Sequence, residues 1–248
     1  MTDESARCNA LPRLLRGRMQ NVRKKRCRRD FIFTGSDRAS MGTTAIAAGL
    51  AGLGGVAAGL GGAVMDTTEE ADLLEFELDG RPVKAWVWVS VFEEGDEVEV
   101  VAEPDGDGWL GYGIRRISDR IVALHPHCSR GRYAHYRASL SWFMKIVGSI
   151  LGMTSLLGAI VAFAKSLSAS DIGALVLVGL AGELLGAFIL GVIAFRISSR
   201  FMGFVRLAEG IFDVFGWQNV RHIDLPGITK RGKRQDDPGA LGVLYFRY

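Results

Sequence analysis

Two stretches almost free of charge limit what this chain can fold into. Between Lys145 and Lys165 lie nineteen residues, IVGSILGMTSLLGAIVAFA, with no charged side chain, and Ile172–Phe195 runs for twenty-four with Glu183 as its single charge. At about 1.5 Å of rise per residue, each makes a helix long enough for a hydrocarbon core of roughly 30 Å. A soluble helix buries one stripe and wets the other, so it does not stay apolar all round for this length. The pattern predicts two transmembrane helices. Their connector, KSLSASD (Lys165–Asp171), is short and polar, which makes them an antiparallel hairpin over residues 146–195.

The flanks orient that hairpin. Arg130, Arg132, Arg137 and Lys145 precede it and Arg196, Arg200 and Arg206 follow it, while the connector offers Lys165 beside Asp171. By the positive-inside rule both termini face the cytoplasm. Trp142, Lys145, Arg196 and Arg200 stand where interfacial anchors belong. Gly148 with Gly152, and Gly182 with Gly186, are pairs of small residues four apart of the kind that lets helix backbones approach closely. Glu183 marks a candidate membrane path, because a carboxylate near the middle of a span costs several kcal/mol unless it is protonated, paired or facing water. The alternative is a neutral acid hydrogen-bonded to Ser149, Thr154 or Ser155 of the other helix.

A third uncharged run, residues 39–65, holds eight glycines and eight alanines in twenty-seven positions. Glycine and alanine supply little transfer energy, so insertion of this run on its own is marginal. Ala47, Ala51, Gly55, Gly59 and Ala63 recur at every fourth position and form one smooth helix face, a glycine-zipper pattern suited to close packing in the same chain or between copies. A turn at Gly54-Gly55 would give two short helices returning to the starting side. A single span and a flexible insert are the other arrangements open to it.

The remaining sequence reads as strands. Net charge is only +3, yet residues 1–40 carry +7, residues 66–107 carry −13 and residues 108–248 carry +9. Residues 11–36, including Asp30–Thr34, and then Leu73–Leu78, Val83–Val91, Glu97–Ala102, Leu110–Ile117 and Arg120–Leu124 alternate or are β-branched and aromatic. Turn signals at Asp79-Gly80, Gly95-Asp96 and Asp105–Gly108 separate them. The fold class expected is an α+β membrane protein: a small OB-like or SH3-like β-barrel over 1–124 with the glycine-alanine insert in a loop between neighbouring strands. A junction and interfacial helix over 125–145, the hairpin over 146–195, and an amphipathic helix with a carboxyl-terminal tail or strand over 196–248 complete it. LGVLYFRY is the strand candidate that docks back on the barrel, and KRGKRQDD (230–237) reads as a solvated loop. Trp86, Trp88 and Phe92 are expected in the core. The basic run RLLRGRMQNVRKKRCRR raises nucleic-acid binding, but the strongly acidic later strands and the lack of an RNP-type aromatic motif argue against it. Anionic lipid attraction explains the same run.

Catalytic signatures are missing. There is no G-x-S-x-G elbow, Walker loop, HExxH helix or CxxC pair, so neither a catalytic residue nor a cofactor is expected. His125, His127, Cys128 and His135 form the single metal-like cluster, and adjacent His127-Cys128 point apart on an extended chain, against zinc. Three cysteines without regular spacing give no disulfide framework. The amino terminus lacks the apolar core of a signal peptide, so Sec-dependent export is not expected.

DFIFTGSDRASMG entering the glycine-alanine run, VKAWVWVSVFEEGDEVEVVAE, and IVALHPHCSRGR before the hairpin together resemble a family of small proteobacterial membrane proteins catalogued as type VI secretion system effectors. The resemblance implies a bacterial inner-membrane protein, delivered as a toxin into competing cells, with a secretion-apparatus, chaperone or immunity protein as partner. It supplies no site residues. The function expected is membrane disruption or pore formation by homo-oligomerised helices in the lipid bilayer. The alternative is a resident inner-membrane scaffold whose β domain binds a protein partner.

Overall fold

The basic run folds as a strand between acidic ones. The computed structural model describes residues 12–29, 69–166 and 168–248, and in it Arg13–Arg29 forms β1. β1 pairs antiparallel with β2 (Glu69–Leu78) on one side and β4 (Glu97–Asp105) on the other. Arg16 meets Glu97 at 2.9 Å, Arg28 meets Glu70 at 3.2 Å, and Lys24 and Arg26 both reach Asp72 at 3.0 Å. The positive and negative sections therefore neutralise each other within one sheet.

β3 (Arg81–Val87) pairs with β2, and β5 (Gly108–Arg116) pairs with β4. A parallel pairing of β3 with β5 closes the order β3-β2-β1-β4-β5 into a five-stranded barrel, a form compatible with the OB-like expectation. β6 (Ile121–Leu124) and β7 (Phe246–Arg247) extend the sheet beyond β5, so the carboxyl-terminal segment does dock back. Met19, Leu74, Leu78, Val83, Val98 and Ile114 fill the barrel. On β3 the buried positions are Val83, Ala85 and Val87, which puts Trp86 and Trp88 on the opposite, half-buried side. Of the three aromatic residues expected inside, Phe92 alone is in the core. The strict alternation of a pleated strand makes that choice, since Val83, Ala85 and Val87 take the inward face and leave the other to Trp86.

Four helices follow: α1 (Arg132–Ala164), α2 (Ala169–Arg200), α3 (Met202–Val214) and α4 (Leu225–Gly232). The chain divides into two compact units, one of residues 1–131 with 204–248 and one of residues 132–203. Within the first, Ala208, Ile211, Phe212 and Phe215 pack on Val101, Val122, Leu124 and Cys128 in a second core. The apolar face of α3, suited by its pattern to a membrane interface, is thus consumed by the β domain. α1 runs unbroken from Arg132, so residue 145 is no element boundary. The tract 230–237 is partly the last turn of α4, and its Asp237 pairs with Arg247 at 3.0 Å.

Two places fix how the chain leaves this unit. Arg29 lies opposite Glu69 in the β1–β2 register, so the intervening segment departs and returns at adjacent residues, as an insertion between neighbouring strands requires. The strand Asp30–Thr34, the proposed helical hairpin at 39–65 and the face formed by Ala47, Ala51, Gly55, Gly59 and Ala63 lie outside the described residues. At the other exit, Gly131 donates its N–H to the carbonyl of Ile223 at 2.9 Å, and Arg130 pairs with Asp224 at 2.8 Å. A β-carbon on Gly131 would stand 2.1 Å from the carbonyl oxygen of Val220. Gly131→Ala is therefore expected to destabilise the β unit by about 2 kcal/mol or more, seen as a fall of several degrees in its thermal midpoint.

Asp72 is 1% exposed and accepts the Ser90 N–H at 2.8 Å besides its two cations. Burial works to raise its proton affinity, but the Ser90 amide, Arg26 and Lys24 outweigh it and hold the carboxyl below the ordinary range. A carboxyl depressed by folding stabilises above its unfolded value, near about 4, and that contribution is lost as pH falls through the folded value. Acid titration followed by tryptophan fluorescence should show this loss. Asp72→Asn should flatten the dependence and cost about 2 kcal/mol at neutral pH.

Candidate functional site between the two apolar helices

α2 begins at a defined cap. The Ser168 hydroxyl accepts the Asp171 N–H at 3.3 Å, and Asp171 places its negative charge in the first turn, complementing the helix dipole. With 33 and 32 residues, α1 and α2 extend about 50 Å each, more than a hydrocarbon core needs. Both are long and apolar enough to cross a membrane, and almost none of either apolar window is buried within the protein. Every exposed large hydrophobic residue among those described lies on these helices except Leu14, Ile117, Ile228 and Val243. A core helix pair of a soluble protein would show the reverse.

Near their outer ends the helices are joined by polar contacts. His135 Nε2 lies 3.0 Å from the hydroxyl of Ser198, which lies 3.3 Å from that of Ser139. The Phe143 ring reaches 3.7 Å from where a β-carbon on Gly191 would stand. Further along, a groove of about 740 Å³ opens between them, walled by residues such as Val147, Leu151, Val178 and Leu190. Among the described residues, Thr154, Ser155 and Glu183 are the polar side chains that line it. Glu183 Oε1 accepts from Thr154 Oγ1 at 2.8 Å and from Ser155 Oγ at 3.1 Å. Glu183 Oε2 has no hydrogen-bond partner among the described residues. Thr154 Oγ1 also lies 2.9 Å from the Leu151 carbonyl and 3.1 Å from that of Ile150.

Of the three hydroxyls the sequence offered to Glu183, two make the contact. Ser149 instead donates to the Lys145 carbonyl of its own helix at 2.7 Å. Thr154 and Ser155 stand about 14 Å along the axis from Lys145 and about 15 Å from Lys165, so the carboxyl sits midway between the charged ends. Gly182 and Gly186 border the groove. A β-carbon on Gly148, Gly152, Gly182 or Gly186 would meet nothing within 4 Å outside its own helix turn, so close approach within the chain occurs elsewhere, at Gly191. Trp142 is exposed, with the Lys145 ammonium 5.3 Å from its ring centre, and Arg196 and Arg200 are exposed at the matching end of α2.

The histidine-cysteine cluster does not converge. His127 Nε2 is 2.8 Å from Glu69, His125 stacks on Phe204, and burial pushes the Cys128 thiol well up and away from nucleophilic character. Among the described residues no three His, Cys, Asp or Glu side chains stand together as metal ligands do. The groove lining, with Gly158, Ala162, Leu175, Val176 and Gly179 among it, escapes sequence reading. Its helical spacing around Thr154 and Glu183 is present, but uniformly apolar neighbours hide which face it marks.

No protein-family model matches the chain, and no curated protein or solved structure matches it. The site is read from its own geometry. Removing its donors with Thr154→Val and Ser155→Ala is expected to weaken hairpin association by about 1 kcal/mol, measured by unfolding of the purified protein in detergent.

Proposed function

We propose that α1 and α2 cross a lipid bilayer with both outer ends on the cytoplasmic side, and that the protein acts there by disrupting the membrane. Several copies assemble through their helix faces and bring the Glu183 carboxyls together along a polar path. The observation that carries this reading is one carboxyl held on two hydroxyls at mid-length in an otherwise apolar groove. An intramembrane acid is costly and marks an ion or proton pathway by default. The glycines on α1 and α2 that meet no neighbour in their own chain supply smooth surface for another copy. The resemblance to type VI effectors supports delivery into a rival bacterium, with a secretion-apparatus, chaperone or immunity protein as partner.

A second reading is a resident inner-membrane scaffold whose β unit binds a protein partner. It is favoured by the ion-paired, two-core unit from which the hairpin departs at Gly131 and to which the chain returns at Phe204. Cells producing the protein with and without a periplasmic export signal, followed with a membrane-potential dye, separate the two. Pore formation predicts depolarisation that falls at least about tenfold in Glu183→Gln and Glu183→Ala. A scaffold leaves the potential unchanged in either compartment.

A further inference from the structure

We infer that Glu183, Thr154 and Ser155 form a binding site for one small monovalent metal cation, sodium, inside the interhelical groove. The inference rests on the reading that the hairpin crosses a bilayer, and it does not require that the protein form a pore.

Within Ile146–Ala164 and Ile172–Phe195 the chain offers no lysine, arginine or histidine, so no side chain of either helix at the depth of Glu183 supplies a positive charge. A second copy aligned with the first brings the same residues and again no cation. Neutrality there comes either from a proton, giving the acid, or from a cation taken up from solution, and the two compete for the same carboxyl. One carboxylate with one monovalent ion is neutral, whereas a divalent ion leaves a net positive charge in hydrocarbon, at high desolvation cost.

The donor set agrees with a hard cation, which takes oxygen ligands. Oε1 of Glu183 lies within 3.1 Å of both hydroxyl oxygens, and Oε2 is not engaged by any described residue. Thr154 can turn its proton to the Leu151 or Ile150 carbonyl, at 2.9 and 3.1 Å, and leave its lone pairs for the ion. The groove of about 740 Å³ is open enough for the ion to arrive and shed water.

The test uses the full-length protein in liposomes and a hydrophobic carbodiimide as probe. The carboxylic acid adds across the reagent: its oxygen bonds to the central carbon, its proton passes to a reagent nitrogen, and the adduct rearranges to a stable acylurea detected by mass spectrometry. A bound sodium ion occupies the carboxylate and keeps the acid form from being presented. Labelling of Glu183 should slow about tenfold when sodium is about ten times its dissociation constant, and choline at equal ionic strength should not slow it. Thr154→Ser, which keeps the oxygen, should retain protection, and Thr154→Val should lose it. Glu183→Gln should take no label. Equal labelling in sodium and choline, or no label on Glu183 in either, overturns the inference. Sodium protection without depolarisation of cells removes the pore and leaves this site standing; depolarisation without protection does the opposite.

Discussion

A strand with nine basic side chains in seventeen residues is the element on which the rest of the structure depends. Nine like charges along an extended chain repel one another, and no sheet would accept them beside neutral neighbours without loss. β1 is accepted because β2 and β4 carry the acids that β1 lacks, and because Asp72 is buried with two of the cations turned onto it. Exposed pairs such as Arg16–Glu97 contribute little individually. What they supply is register, since a slip of one residue would set basic side chains against the barrel core and turn Leu15 and Met19 outward.

Solvation separates the two units. In the β unit apolar side chains are withdrawn into two cores, and a helix that looks interfacial by pattern, α3, spends its apolar face on one of them. In the α1–α2 unit the large apolar side chains are exposed, while polar side chains pair from one helix to the other: His135 with Ser198 near the outer ends, Thr154 and Ser155 with Glu183 midway. Such an exposed apolar surface with paired polar groups is compatible with hydrocarbon as a solvent, where each unsatisfied polar group is costly and apolar exposure costs nothing.

How much of this was legible in the sequence follows from how strongly each pattern is duplicated by others. Strand existence was legible, because alternation, β-branching and Gly-Asp turns coincide, and even the closing of the chain end onto the barrel could be seen in LGVLYFRY. The hairpin was legible from length and charge alone. The side of a strand that faces inward was misread at Trp86 and Trp88, because size suggested burial and the barrel interior favours Val83, Ala85 and Val87 instead. The fate of α3 was not decidable, since an amphipathic stripe fits a lipid interface and a protein core equally well. Thr154 and Ser155 were within reach only because Glu183 is the one charge in its span and must find hydroxyls on the neighbouring helix. The groove around them left no trace, because a helix apolar on all sides carries no phase.

The paired residues Arg29 and Glu69 bear on the glycine-alanine run without any description of it. These two lie opposite each other in one strand pair, which sets the ends of the intervening segment side by side. Whatever path the chain takes between them, it starts and finishes on the side that holds β1 and β2. The second excursion, through α1 and α2, obeys the same condition, leaving the β unit at Gly131 and rejoining it at Phe204. Both uncharged runs therefore lie between chain positions that belong to one ion-paired unit, and the segregation of charge and apolarity along the sequence follows that division.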